Sequence, residues 1–224
     1  MPNRAFFAVL LAFATLVTMT SYVYSAAEDL LEAARAGDTA AVRRLLKRGA
    51  QPNARDECQR TPLHHAASRG KTEVAALLIR KGAKVDARDY YQETPLHHAA
   101  SRGKTEIGAL LIQNGAKVDA GNEDQWTPLH HAAFAGKTGV AALLIQKGAN
   151  VNARGVNQKT PLHWAAFAGN AEVAALLIQE GAEVNARDVN QKTPLDWAAS
   201  QGNTDVAALL IQKGAKVNGS NGKH

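Results

Sequence analysis

Thr-Pro-Leu recurs at Thr61, Thr94, Thr127, Thr160 and Thr193, and every interval is 33 residues. A Gly-Ala pair keeps the same beat at Gly82, Gly115, Gly148, Gly181 and Gly214. A fixed period of this size constrains the fold more than any property of the whole chain. Each copy is one supersecondary unit too small to bury its own apolar face, so neighbours must stack to make a core. A worn first copy precedes the others: Ala33-Ala34 aligns with Ala66-Ala67, Gly37 with Gly70, Leu45-Leu46 with Leu77-Leu78, and Gly49-Ala50 with Gly82-Ala83. Six units result, 28–60, 61–93, 94–126, 127–159, 160–192 and 193–224.

Each unit reads as two short helices and a turn-rich connection. Thr61 is a good helix N-cap, Pro62 suits the first helical position, and His64 sits where a side chain reaches back to the cap. Asp196 takes the histidine's place in the last unit and accepts the same bond. Leu63, Ala66 and Ala67 form an i, i+3, i+4 stripe, and Gly70 closes the first helix. Val74, Leu77 and Leu78 repeat the stripe on a second helix, with Glu73 in its first turn and Arg80 and Lys81 in its last, as the helix dipole favours. Val85 to Thr94 is too short and polar for another helix and reads as a hairpin-like connection. Composition agrees: aromatics are 5% against 46% hydrophobic residues, so alanine and leucine carry the core, which suits packed helices.

The run Thr-Pro-Leu-His-x-Ala-Ala, then Gly, then Val-x-x-Leu-Leu, then Gly-Ala-x-Val-Asn/Asp-Ala resembles the ankyrin repeat, and the resemblance covers residues 28–224. It implies an all-α repeat solenoid of helix-turn-helix units joined by hairpin loops, binding a partner protein through the hairpin tips and the concave face made by the first helices. It implies neither a catalytic activity nor a cofactor. Two departures stand out. Ankyrin units usually carry glycine two residues before the threonine, where this chain has Gln59, Gln92, Gln125, Gln158 and Gln191. Gly108 and Gly139 interrupt second helices at a cost of roughly 1 kcal/mol each relative to alanine.

Because the scaffold positions barely vary, the variable ones mark a candidate binding surface. Tyr90 and Tyr91 fall at a hairpin tip and Trp126 just before a cap. Phe134, Phe167, His98, His131 and Trp164 fall on the first-helix face turned away from the core stripe, with Arg69 and Arg102 at the helix ends. Aromatic residues and arginine are the usual anchors of interfaces. We expect one patch from Tyr90, Tyr91, Trp126, Phe134 and Phe167, with Arg69 and Arg102 as an anion-binding edge or a solvated face; packing against the next unit is the competing role for Phe134, Phe167, Trp164 and Trp197.

Several constellations imitate chemistry. In His64-His65, His97-His98 and His130-His131 the adjacent residues point about 100 degrees apart, and equivalents in stacked units are expected roughly 8–10 Å apart, so no metal site is expected. A ladder of His65, His98 and His131 would still gain charge below about pH 6.5. Gly70-Lys71-Thr72 lacks the upstream glycine and strand of a phosphate loop. No serine, cysteine or acid set suggests catalysis, so an enzyme is not expected. Basic residues repeat around the array instead of clustering with aromatics, which disfavours nucleic acid despite a net charge of +6.

Residues 1–27 differ from the repeats. Arg4 is followed by an apolar run from Ala5 to Val17 and small residues at Ser25, Ala26 and Ala27, the pattern of a secretory signal peptide. We read it as cleaved after Ser25 or Ala27. An uncleaved anchor is the alternative, since Ala5 to Tyr24 is 20 residues, and it would make the array a membrane-tethered scaffold with no single partner. The lone Cys58 excludes an internal disulfide and leaves a bond between chains open. The second helix of the last unit shows no polar capping face, which leaves self-association through that end open. The tail 218–224 is expected to fray.

Overall fold

The structure, a computed structural model, describes residues 26–217. The signal segment, apart from its last two residues, and the tail expected to fray lie outside the described residues. Among these, α1 covers residues 26–36, and α2 Thr39–Lys47 completes the first pair. Five further pairs follow: α3 Pro62–Arg69 with α4 Thr72–Arg80, α5 Pro95–Ser101 with α6 Thr105–Gln113, and α7 Pro128–Phe134 with α8 Thr138–Gln146. The last two are α9 Pro161–Ala168 with α10 Ala171–Gln179, and α11 Pro194–Ser200 with α12 Thr204–Gln212. First helices pack against first helices and second against second, giving the stacked all-α solenoid. No strand is assigned among the described residues, and no helix there is long and apolar enough to cross a membrane.

The caps explain why so short a sequence makes a helix. Thr61 is extended (φ −91°, ψ 166°) and Pro62 enters the helix directly behind it. The Thr61 N–H donates to Nδ1 of His64 at 3.0 Å, so that nitrogen is an acceptor and the ring proton sits on Nε2. From there it is donated to the carbonyl of Glu93 in the next unit at 3.1 Å. His97, His130 and His163 repeat the bridge to Trp126, Lys159 and Lys192. One side chain therefore caps its own helix and ties it to its neighbour. Asp196 performs the first task, accepting from the Thr193 N–H at 2.8 Å.

One core runs the length of the array from Leu30 to Leu210, with Leu63, Ala66, Ala67 and Leu78 fully buried. Alanine at two of every three stripe positions lets the helices approach closely. The first copy sits one residue away from the sequence alignment. α2 and α4 start at Thr39 and Thr72, so Leu45 corresponds to Leu78 and the exposed Arg44 stands where Leu77 is buried. The worn unit has lost half of its leucine pair.

The connections are tight turns. The Asp89 N–H donates to the Glu93 carbonyl and the Gln92 N–H to the Asp89 carbonyl, both at 3.0 Å. Gln59, Gln92, Gln125, Gln158 and Gln191 all take φ between 58° and 61°, so glutamine occupies the left-handed position that glycine would fill without strain. Each tip is tied to the previous one through the backbone, as when Tyr90 donates to the Cys58 carbonyl at 3.0 Å. Arginine ties the turns from the side: Arg55 Nη1 donates to the carbonyls of Gln59 and Arg88, both at 2.7 Å.

Candidate functional site: the concave face

The face made by the first helices divides into two halves of different chemistry. In the second and third units, and as far as His131 of the fourth, it is polar. Asp89 is 2% exposed; its Oδ1 accepts from the N–H groups of Tyr91 and Glu93 at 3.0 and 2.9 Å. Its Oδ2 accepts from His98 Nε2 at 2.9 Å and Arg60 Nε at 3.4 Å. Burial works to raise its pKa, but the His98 hydrogen bond and charge and the Glu93 N–H outweigh that and hold it at about 2. Glu93 lies 3.5 Å from His98 Nε2 and 3.1 Å from His131 Nε2, the latter a close ion-pair contact not aligned as a hydrogen bond. Burial again opposes its charge, and His131 and His98 prevail, leaving the carboxyl below its ordinary value. Around this network lies an open groove of about 790 Å³ lined by Arg35, Arg60, Arg69, Arg102 and Lys104, among others.

The same helix positions are aromatic in the later units. Trp126 lies 4.3 Å from Trp164 and 6.0 Å from Phe134 between ring centroids. Phe134 stacks on Phe167 at 6.3 Å, and Phe167 meets Trp197 at 5.6 Å. Nζ of Lys159 sits 4.6 Å from the Trp164 ring and 3.9 Å from that of Trp197. Burial there lowers the Lys159 pKa, with Asp188 acting against it. The ladder begins without a gap where the polar half stops, because Trp126 also contacts His131 at 5.2 Å.

One small residue makes room for the ladder. A Cβ on Gly155 would stand 3.1 Å from Cδ1 of Trp126. Gly155 occupies the turn position held by Asp56, Asp89, Asn122 and Asp188 in the other units. There Asp188 accepts from Nε1 of Trp197 at 3.1 Å, whereas Trp164, whose partner would be residue 155, keeps a buried Nε1 without one.

The sequence-derived patch therefore separates into pieces. Trp126, Phe134, Trp164 and Phe167 come together, and Trp197 joins them. His98 and His131 belong to the carboxylate network, and Arg69 and Arg102 to the groove rim. Tyr90 and Tyr91, 67% and 48% exposed, contact each other at 5.2 Å, with no ring contact to the ladder among the described residues. The expectation of one continuous patch is corrected accordingly: a hairpin tip lies beyond the helix face. Sequence reasoning missed Asp89, Glu93, Lys159 and Gly155, which sit at variable turn positions.

Histidines of adjacent units do come close, between positions that the expected spacing of equivalents does not cover. His64 meets His98, and His97 meets His131, with centroids 5.4 Å apart, because the contact runs between non-equivalent positions of adjacent units. Donor atoms of His64, Asp89 and His98 lie within 4.8 Å of one another. Both ring nitrogens of His64 are committed, to Thr61 and to Glu93, and Nε2 of His98 is committed to Asp89. These donors are spent on internal hydrogen bonds, and we assign no metal to them.

The ankyrin-repeat model (three copies) matches residues 30–122, 87–155, 117–188 and 155–221. Among solved structures, the human ASB11 ankyrin repeat domain is similar, with 28% identity, a TM-score of 0.78, and coverage of 84% of this chain and 85% of that one. A search of curated proteins returns no match. Together with the capped helix pairs and the continuous core, these matches show that the chain belongs to the ankyrin-repeat family, whose repeats generally serve as non-enzymatic protein–protein interaction modules.

Proposed function

We propose that the chain is an exported binding module that holds one partner protein on its concave face, with the hairpin tip at Tyr90 and Tyr91 as a flanking contact. The observation that carries this reading is the aromatic ladder. Phe134 is 43% exposed at the centre of a preformed row of rings, and soluble proteins expose such continuous apolar surface mainly where something binds. The ladder contains three tryptophans, and at its Trp126 end it adjoins, through His131, the arginine-lined groove; tryptophan and arginine dominate interface energetics. Export rests on the sequence of residues 1–27 alone. Mass spectrometry of the mature chain tests it, and recovery of residues 1–25 would favour the tethered scaffold instead.

The test of the binding face is affinity capture from the native compartment with three baits: wild type, Phe134→Ala with Phe167→Ala, and Tyr90→Ala with Tyr91→Ala. A protein retained by wild type, lost from the phenylalanine variant and weakened with the tyrosine variant supports the reading. Equal recovery on all three overturns it.

A further inference from the structure

The two halves of the concave face carry information about the partner's chemistry. In the polar half, Arg69 and Arg102 are exposed and form no ion pair among the described residues, and Lys104 lines the same groove. The carboxylates nearby are already engaged: Asp89 with His98 and Arg60, Glu93 with His98 and His131, and Asp56 with His65 at 2.8 Å. Uncompensated positive charge therefore lines one end. At the other end the ladder offers ring faces, and its neighbouring cations, Lys159 and Lys192, are held against indoles.

A single-stranded nucleic acid repeats a phosphate and a base at every nucleotide, so its binding grooves interleave cations with aromatic platforms. Here the two are segregated by unit. A ligand that matches must segregate its acidic and apolar groups along its length, which a polypeptide does and a nucleic acid does not.

Resting on the binding-face reading above, we propose that the groove takes a polypeptide segment of block character. It is acidic where it crosses the second and third units and aromatic or aliphatic where it crosses the fourth and fifth. Helices packed about 8–10 Å apart place α3 and α9 roughly 30 Å from each other, which an extended chain of about nine residues spans.

The test is fluorescence anisotropy on the whole repeat array with three labelled probes. These are a peptide of acidic residues followed by Phe and Leu, a peptide of the same composition with the two kinds alternating, and a single-stranded oligonucleotide. The block peptide is expected to bind at least ten times more tightly than the alternating one. Its affinity is expected to fall at least tenfold in Arg69→Glu with Arg102→Glu. It should fall less than twofold in Arg80→Glu with Lys81→Glu, which makes the same charge change on exposed second-helix residues. All four sites are exposed, and circular dichroism confirms that each variant is folded. Equal binding of the two peptides, or tighter binding of the oligonucleotide, overturns the proposal. If a natural partner is lost with Phe134→Ala and Phe167→Ala yet ignores the Arg69 and Arg102 reversals, the binding face stands and the acidic-segment inference fails.

Discussion

The second and fifth units share a backbone, a cap and a core stripe, yet their inner faces are held by different physics. In the second and third units the face is a network of histidine, carboxylate and arginine centred on Asp89 and Glu93. In the fifth it is a stack of rings, with Trp164 where the earlier units carry His65 and His98, and Phe167 where they carry Ser68 and Ser101. Hydrogen bonds to ionised groups depend on proton occupancy, while ring packing depends on buried area and ring geometry and on no titrating proton. Scaffold and surface are therefore separable: the Thr-Pro-Leu-His frame specifies where a side chain points and leaves its chemistry free.

Acid should break the comparison most strongly. Burial lowers His64, His97 and His130 from 6.5 to about 4, with backbone acceptors pulling the other way. The folded state holds these rings neutral, while the unfolded chain takes up a proton near pH 6.5. Their contribution is therefore complete above pH 6.5, drains as the pH falls towards 4, and loses nothing further below that. Each shift corresponds to about 3 kcal/mol. The three lie in α3, α5 and α7, and the sixth unit has Asp196 instead. Hydrogen exchange at pH 5 is expected to show protection lost in α3 to α7 before α11.

Asp89→Ala should cost about 3–5 kcal/mol in urea denaturation, because it leaves Arg60, His98 and two turn N–H groups facing a vacancy. Asp89→Asn should cost distinctly less, since Asn122 already makes the equivalent turn bonds, accepting from the Asp124 and Trp126 N–H groups at 3.0 and 2.9 Å.

The aromatic half is sharpened by a double-mutant cycle. Gly155→Asp alone should destabilise, because its Cβ meets Trp126. In a Trp126→Ala background the same change should stabilise relative to that single variant, by about 1 kcal/mol, as the new carboxylate accepts from Trp164 Nε1. Absence of a sign reversal would show that Gly155 is not there to admit Trp126. Smaller still, Gly108→Ala should raise stability by up to about 1 kcal/mol, since the added methyl touches Leu143 at an ordinary 3.4 Å. Gln92→Gly should add a few tenths by relieving the left-handed backbone, offset by the freedom glycine gives the unfolded chain.

The solenoid, its caps and its core stripe are legible in the sequence because they repeat. Thr61, Pro62, His64 and Gly70 each do a local job that residue type and spacing reveal. The site is legible only in part. Aromatic residues at variable positions mark themselves, but their grouping depends on contacts between residues 29 to 38 positions apart, such as Trp126 with Trp164, and one-dimensional alignment pairs equivalents instead. The separation of Tyr90 and Tyr91 from the ladder, the approach of His64 to His98, and the dependence of Trp126 on Gly155 all arise from that offset stacking. In the first copy Leu45-Leu46 looks like the leucine pair in the sequence, whereas the caps place Arg44 at its first position.

The concave face is best probed by a photoreactive amino acid in place of Phe134, compared with one in place of Arg80, in the native compartment. A partner protein is expected to crosslink from position 134 and not from position 80. A crosslink from position 80 with none from position 134 would contradict that expectation and move the binding surface off the concave face.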